Sequence, residues 1–217
     1  MLKELFGSKE KSSLVRSAFN DFSGMLQQAA RMYELARAAL LDNADLEVDL
    51  DEMDDVVDDG ERMVRRAVLE HLSISPRTDL VASLVLISMV QDAERIGDFA
   101  RGLAELLRLA KSPRVGPYAD DLREIASGVS SQFEACERAF REDDVDLARK
   151  VILRHTQTKP ALEDYTTRLA NSDLSADMAI VYGATARILR RISAHLSNIA
   201  SSVVQPFDRI RHGDEDV

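Results

Sequence analysis

Apolar residues recur at three- and four-residue steps along most of the chain, and no segment sustains alternation every second residue. This spacing predicts amphipathic helices and no strand. Val15 to Leu41 reads as the first helix, with Val15, Phe19, Phe22, Met25, Leu26, Met32 and Leu35 along one side and a break near Asp42-Asn43. A second helix is expected from about Leu46 to Leu72. Its first half, Glu47 to Glu61, is crowded with acids, and Gly60 weakens it slightly. Ser75-Pro76 marks the next boundary, because proline suits a first helical turn and disfavours helix in the residue before it. The third helix is expected from about Pro76 to Lys111.

Ser112-Pro113 and Gly116-Pro117 form the clearest linker, and the pattern then returns. Tyr118 to Arg141 reads as a helix with Leu122, Ile125, Val129, Phe133 and Phe140 on its apolar side. Asp143 or Asp144 is a candidate cap for a fifth helix reaching about Ala170, which Pro160 is expected to kink or split. Asn171-Ser172-Asp173 separates it from a sixth helix, Leu174 to Val204, stopped by Pro206. The fold class is therefore all-α. Three helices, a linker and three more helices suggest an internal repeat of about a hundred residues. Arg95-Ile96 in the third helix aligns with Arg191-Ile192 in the sixth, and Leu103-Ala104 with Ile199-Ala200.

Composition narrows the function more than the fold. Of 217 residues, 45% are apolar and 30% charged, ordinary proportions for a soluble globular protein. The net charge of −10 gives no support to nucleic-acid binding, which needs a basic footprint. Cys136 is the only cysteine, so an intramolecular disulfide and a thiolate zinc cluster are excluded and a cytoplasmic, reducing setting fits. The N-terminus lacks the apolar stretch of a secretory signal. The run Leu80 to Val90 falls short of the ~20 apolar residues of a membrane span, so no direct membrane insertion is expected. Negative charge also opposes attachment to anionic lipid, so any association with the inner membrane would run through a protein partner.

The candidate chemistry lies in QDAERIGDFA, Gln91 to Ala100. Glu94 and Asp98 sit about 40° apart on one helix face, with Leu80, Leu84, Ile87 and Gln91 within about 40° of the same line. The two acids thus extend an apolar stripe and are expected to point into the bundle. Gly97 between them permits close approach of a neighbouring helix. On the second helix Asp54, Asp58 and Glu61 fall within about 60° of one another. If the two helices pack antiparallel, five carboxylates converge and repel. Protons or hard or borderline cations could relieve that repulsion. Arginines could do so as well, since Arg62, Arg65, Arg66 and Arg95 stand on nearby turns. Both resolutions remain open on spacing alone.

Catalytic signatures are missing. No histidine follows a glutamate by three residues, and HExxH, P-loop and Gly-x-Ser-x-Gly motifs do not occur. His71, His155, His195 and His212 are scattered, and Cys136, beside Glu134 and Glu137, reads as a packing residue. A metal-dependent hydrolase or oxidase would need a general base that the sequence does not identify. A plain helical scaffold, its acids neutralised by arginines, is the other alternative to a regulatory protein.

Pro76-x-x-Asp79-Leu80, followed fifteen residues after Asp79 by ERIGDFA, resembles the PhoU family. There a proline-led helix carries an Asp-Leu pair and then Leu-Glu-Arg-Ile-Gly-Asp-His-Ala; here Ala93 replaces the leucine and Phe99 the histidine. The resemblance is strongest over Leu46 to Ala110. It implies two tandem three-helix bundles, residues 14–112 and 117–206, between an N-terminal segment (1–13) and an acidic tail (207–217). It also implies a non-enzymatic regulator of phosphate homeostasis, a homodimer. Its partners would be a phosphate transporter component or sodium–phosphate cotransporter, and a sensor histidine kinase. Iron, zinc or manganese would bind at Glu94 and Asp98, with Asp54, Asp58 and Glu61. The second repeat departs from this pattern: Arg190 stands for Glu94, Ala194 for Asp98 and Lys159 for Asp54, while Glu163 remains opposite Asp58. A second metal cluster is not expected there. Arg187 and Arg190 could instead bind an anion, or serve as partnered arginines beside His195.

Overall fold

The computed structural model describes residues 13–210. Six long helices follow the apolar spacing: α1 Ser13–Leu41, α2 Leu50–Ile74, α3 Leu80–Glu105, α4 Pro117–Glu142, α5 Val145–Ala170 and α6 Ala176–Val204. Short 3-10 turns at Leu106–Arg108 and Phe207–Arg209 follow α3 and α6, and there is no strand among the described residues. Nearly all of the expected N-terminal segment and most of the acidic tail lie outside the described residues.

Local chemistry sets the helix ends. The Asp49 side chain accepts from the backbone N–H of Asp51 and so caps α2 four residues later than the spacing suggested. Asp143 and Asp144 divide two tasks. Asp143 ends α4 in the left-handed region, φ 55°, and Asp144 caps α5 by accepting from Leu147 N–H. Helix α3 begins at Leu80 and not at Pro76, because residues 76–79 are spent on the turn from α2. His71, buried near the end of α2, closes that turn by donating from Nε2 to the Thr78 carbonyl at 2.9 Å.

Pro160 neither splits α5 nor ends it; Val145 to Ala170 is one helix. The proline faces solvent, while Ala148, Val151, Leu162, Tyr165 and Leu169 are buried before and after it. Burial on both sides holds the helix across the one missing N–H.

The first three helices pack on one another, as do the last three, and α3 against α6 and α1 against α4 join the two groups. Phe19 stacks on Phe140 at 4.5 Å, and the buried Tyr33 hydroxyl donates to the Ala126 carbonyl, fixing α1 to α4. The linker contributes Arg114, whose guanidinium donates to the carbonyls of Leu40, Ala39 and Ser112 while its backbone N–H donates to Asn43 Oδ1. One linker side chain thus satisfies carbonyls at the end of α1 that the helix itself leaves bare. Arg123 of α4 adds bonds to the carbonyls of Leu41 and Arg114.

Helices α3 and α6 run antiparallel. Met89 meets Ser202, Asp92 meets His195 and Asn198, and Gly102 meets Ile188. On the repeat alignment Phe99 and His195 are counterparts, and their rings pack together, centroids 5.7 Å apart. The antiparallel crossing thus brings these repeat counterparts together at the seam between the bundles.

Candidate functional site

Of the stripe through Leu80, Leu84, Ile87 and Gln91, only Ile87 packs against the core, and it is partly buried. Leu80 and Leu84 are 43% and 38% exposed, and Gln91 is also exposed. The buried side of α3 is Ala82, Val85, Leu86, Met89, Val90, Ala93, Ile96, Gly97, Ala100 and Leu103. Glu94 and Asp98 therefore lie not inside the bundle but along the groove where α2 meets α3, with side chains 19% and 32% exposed.

Gly97 performs the expected role. A Cβ there would stand 3.0 Å from Asp54 Oδ1 and 3.4 Å from Val57 Cγ1 of α2. Helix α2 runs antiparallel to α3, with Asp54 beside Gly97 and Arg101, and so its acids do face Glu94 and Asp98 across one groove.

Burial together with the neighbouring charges of Asp98, Glu61 and Asp58 raises the Glu94 pKa from 4.5 to about 7, against a lowering by Arg95. Asp54 is raised by burial and by Asp98 and Asp58, against a lowering by Arg101. All five candidate carboxylates thus share one electrostatic field. Arginines share it too. Arg101 lies 2.9 Å from Asp54, 3.5 Å from Asp98 and 3.6 Å from Asp51. Arg95 reaches Asp98 at 3.2 Å and Glu94 at 3.5 Å, Arg65 pairs with Glu61 at 2.7 Å, and Arg62 with Asp58 at 3.6 Å. Of the arginines expected to neutralise the acids, Arg62, Arg65 and Arg95 pair with them and Arg66 makes no such pair among the described residues; Arg101, not expected from spacing, reaches the groove from one turn beyond Asp98.

The donor set suits a hard or borderline cation in kind: oxygen ligands only, crowded, one of them holding its proton near neutrality. As the side chains stand, however, no group of three or more His, Cys, Asp or Glu among the described residues is gathered closely enough to hold a metal ion. A cation would have to take the place of Arg101 between Asp54 and Asp98.

A second polar cluster escaped the sequence reading. Asp92, 2% exposed, accepts from Asn198 Nδ2 at 3.0 Å and pairs with His195 Nδ1 at 2.7 Å. Arg191 lies over the Phe99 ring at 5.6 Å, so the two rings and the guanidinium stack along the seam between the bundles. One signal was available. His195 aligns with Phe99 on the repeat, so the second copy keeps the motif's leucine and histidine, Leu189 and His195, where the first copy has Ala93 and Phe99. Cys136 is fully buried, its pKa raised by burial and then by Asp92 and Glu137, as suits a packing residue.

In the second bundle Arg190 approaches Glu163 only at 3.9 Å. His155 donates to or accepts from Ser193 at 3.1 Å, and burial, followed by Arg190 and Lys159, lowers its pKa.

The chain is similar to several known proteins. The family model described as PhoU domain matches residues 22–107, which hold most of α1 and all of α2 and α3. The phosphate-specific transport system accessory protein PhoU homolog 1 of Thermotoga maritima is 24% identical over 160 residues, covering 70% of this chain and 69% of that protein. The crystal structure of PhoU from Pseudomonas aeruginosa is similar at 25% identity and a TM-score of 0.75, covering 88% of this chain and 93% of that one. The phosphate transport system regulatory protein PhoU of Streptococcus pneumoniae shares the fold at 18% identity and a TM-score of 0.75, covering 92% and 96%.

Proposed function

We propose that this chain, which carries a PhoU domain and the tandem helical-bundle fold of PhoU proteins, regulates phosphate uptake by docking to a partner and catalyses no reaction of its own. The observation that carries this reading is the PhoU-domain match over the helices that form the acidic groove. The relative from Thermotoga maritima, named as an accessory protein of phosphate-specific transport, supports it. The partner would be a phosphate transporter component or a sodium–phosphate cotransporter, with a sensor histidine kinase as a second recipient of the signal. No described helix is long and apolar enough to cross a membrane. Contact with a membrane transporter would be made by surface docking, on its cytoplasmic side in this reading. A homodimer is the expected working form.

The groove between α2 and α3 would be the metal-responsive part. Glu94, Asp98, Asp54, Asp58 and Glu61 would hold iron, zinc or manganese, which would supply positive charge to a crowded set of carboxylates. With the ion bound, Arg101 and Arg95 would be free to face outward, which changes the charge the groove presents to a partner. In its absence the arginines hold the acids. The same residues thus serve two charge states of one surface.

Deletion of the gene in its host, followed by measurement of phosphate uptake and of a phosphate-starvation reporter, tests the regulatory reading. Uptake and reporter output should both lose their response to external phosphate. Unaltered responses would overturn it. Elemental analysis of the purified protein and of a Glu94→Ala, Asp98→Ala double variant tests the metal. Iron, zinc or manganese should accompany the parent and be lost from the variant; a parent free of all three would remove it.

A further inference from the structure

The groove between α5 and α6 occupies the place in the second bundle that the acidic groove holds in the first, and its charge is reversed. The groove has a volume of about 660 Å³, with Leu162, Gly183 and Ala186 on its floor, Arg187 and Arg190 on the α6 rim, and Glu163 with neighbouring polar residues on the α5 side. The two arginines are exposed and stand three residues apart, on one helix face. Arg187 has no ion-pair partner among the described residues, and Arg190 has only Glu163 at 3.9 Å. Lys159 on the facing helix lies outside the lining but adds positive charge near its Arg190 end, where burial, Arg190 and Lys159 lower the pKa of His155. In the first bundle, acids and arginines satisfy one another within the groove. In the second, two arginines of the lining meet one acid, Glu163, in a chain whose net charge is −10. The unbalanced positive charge attracts an anionic group from outside.

The floor decides what kind of group. A small oxyanion would engage the arginines and leave the apolar floor in water. Nucleic acid needs a broad basic field that the acidic chain lacks. An amphipathic helix uses both parts, with apolar side chains at three- and four-residue spacing on the floor and carboxylates along one edge against Arg187 and Arg190. We propose that the α5–α6 groove docks an acidic amphipathic helix of a protein partner. This rests on the docking role proposed above and names its surface and the chemistry it recognises. It also gives the loss of acids from the second repeat a consequence: the groove without a carboxylate cluster became the one that binds carboxylates.

The test uses the full chain and a fluorescent peptide of ~18 residues, five helical turns, with leucines at three- and four-residue spacing flanked by glutamates. A scrambled peptide of the same composition is the control. The parent should bind the amphipathic peptide in preference to the scramble, and binding should weaken as salt rises above about 0.15 M. Arg187→Glu with Arg190→Glu should reduce affinity by about tenfold or more. Gly183→Leu should also reduce it, by filling the floor without changing charge; a Cβ at Gly183 meets only Leu169, at an ordinary 3.6 Å, so the fold accommodates the first atom of the new side chain. Circular dichroism checks that both variants fold. Equal binding of the scramble, or unchanged binding by the charge-reversed variant, overturns the proposal. Inorganic phosphate displacing the peptide stoichiometrically at submillimolar concentration would reassign the arginines to a small oxyanion and overturn it too. In cells, a charge-reversed variant that regulates uptake like the parent removes the groove but not the regulatory role, whereas a gene deletion without effect removes the regulatory role itself.

Discussion

His195 Nδ1 stands 2.7 Å from Asp92 Oδ1 across the seam between the two bundles, and Asn198 donates to the same oxygen. The acid is buried and its partners belong to the other bundle, so the cluster ties the halves together through polar groups that have little access to water. Asp92→Ala strands the imidazole and the amide. It should cost about 2–4 kcal/mol, read as a lower urea midpoint, whereas Asp98→Ala at the half-exposed groove should cost under about 1 kcal/mol. Equal costs at the two positions would refute the assignment of Asp92 to the seam.

Glu94 gives a pH-dependent prediction with a definite sign. Its pKa is about 7 in the folded chain against an ordinary 4.5. Below the lower value both folded and unfolded chains hold the proton, and the group contributes nothing to stability. Between the two the unfolded chain ionises first, so stability falls as pH rises, and above about 7 the deficit is complete. Glu94→Gln removes that deficit. In metal-free protein with chelator present, the variant should match the parent at about pH 4 and exceed it by about 1 kcal/mol at about pH 8, after allowance for solvent screening. A gap that is the same at both pH values would argue that Glu94 is not held protonated.

Arg101 competes with any cation for the carboxylates of Asp54 and Asp98. Arg101→Ala should therefore lower stability only slightly, by less than about 1 kcal/mol, because the pairs are partly exposed. The same change should raise affinity for zinc or manganese about tenfold in equilibrium dialysis, since removing a neighbouring positive charge is worth about 1.4 kcal/mol at an effective dielectric intermediate between water and protein. Unchanged affinity would place metal binding, where it is found, outside this groove.

Arg114 tests the linker. Its guanidinium bonds the carbonyls of Ala39 and Leu40 in addition to that of Ser112. Arg114→Ala should cost about 2–3 kcal/mol and lower the melting temperature by about 5–10 °C, and Arg114→Lys should recover little, because an ammonium cannot reproduce the planar fork. Differential scanning calorimetry decides this, and a melting temperature recovered by lysine would show that charge, not the fork, holds the α1 terminus.

The helices were legible because a 3.6-residue period writes itself into long apolar stretches. The facing side of α3 was not. That helix is apolar round much of its circumference, so alignment with Leu80 and Leu84 could not identify the core; Ala82, Ala93, Gly97 and Ala100 mark it better, because small residues admit neighbouring helices. That the five acids share one groove was legible, since the two on α3 and the three on α2 each share a face within one helix. Arg101 and Asp92 were not, for opposite reasons. Arg101 lies outside the motif and acts across helices. Asp92 sits beside Gln91 where an apolar run ends, a place that reads as surface, and its partners come about a hundred residues later. Pro160 was expected to kink or split α5 because the rule considers one hydrogen bond; the helix is not split, and residues are buried on both sides of the proline.

The antiparallel seam between α3 and α6 has a consequence for how the two halves can differ. Two separate single-bundle subunits related by a twofold axis would carry identical side chains in both grooves, so an exchange of Glu for Arg would strike both at once. Joining the bundles through one linker removes that constraint. Phe99 can face His195, Glu94 can remain while its counterpart is Arg190, and one half can retain acids while the other sheds them. Covalent tandem repetition is what permits this molecule two unlike faces on one scaffold.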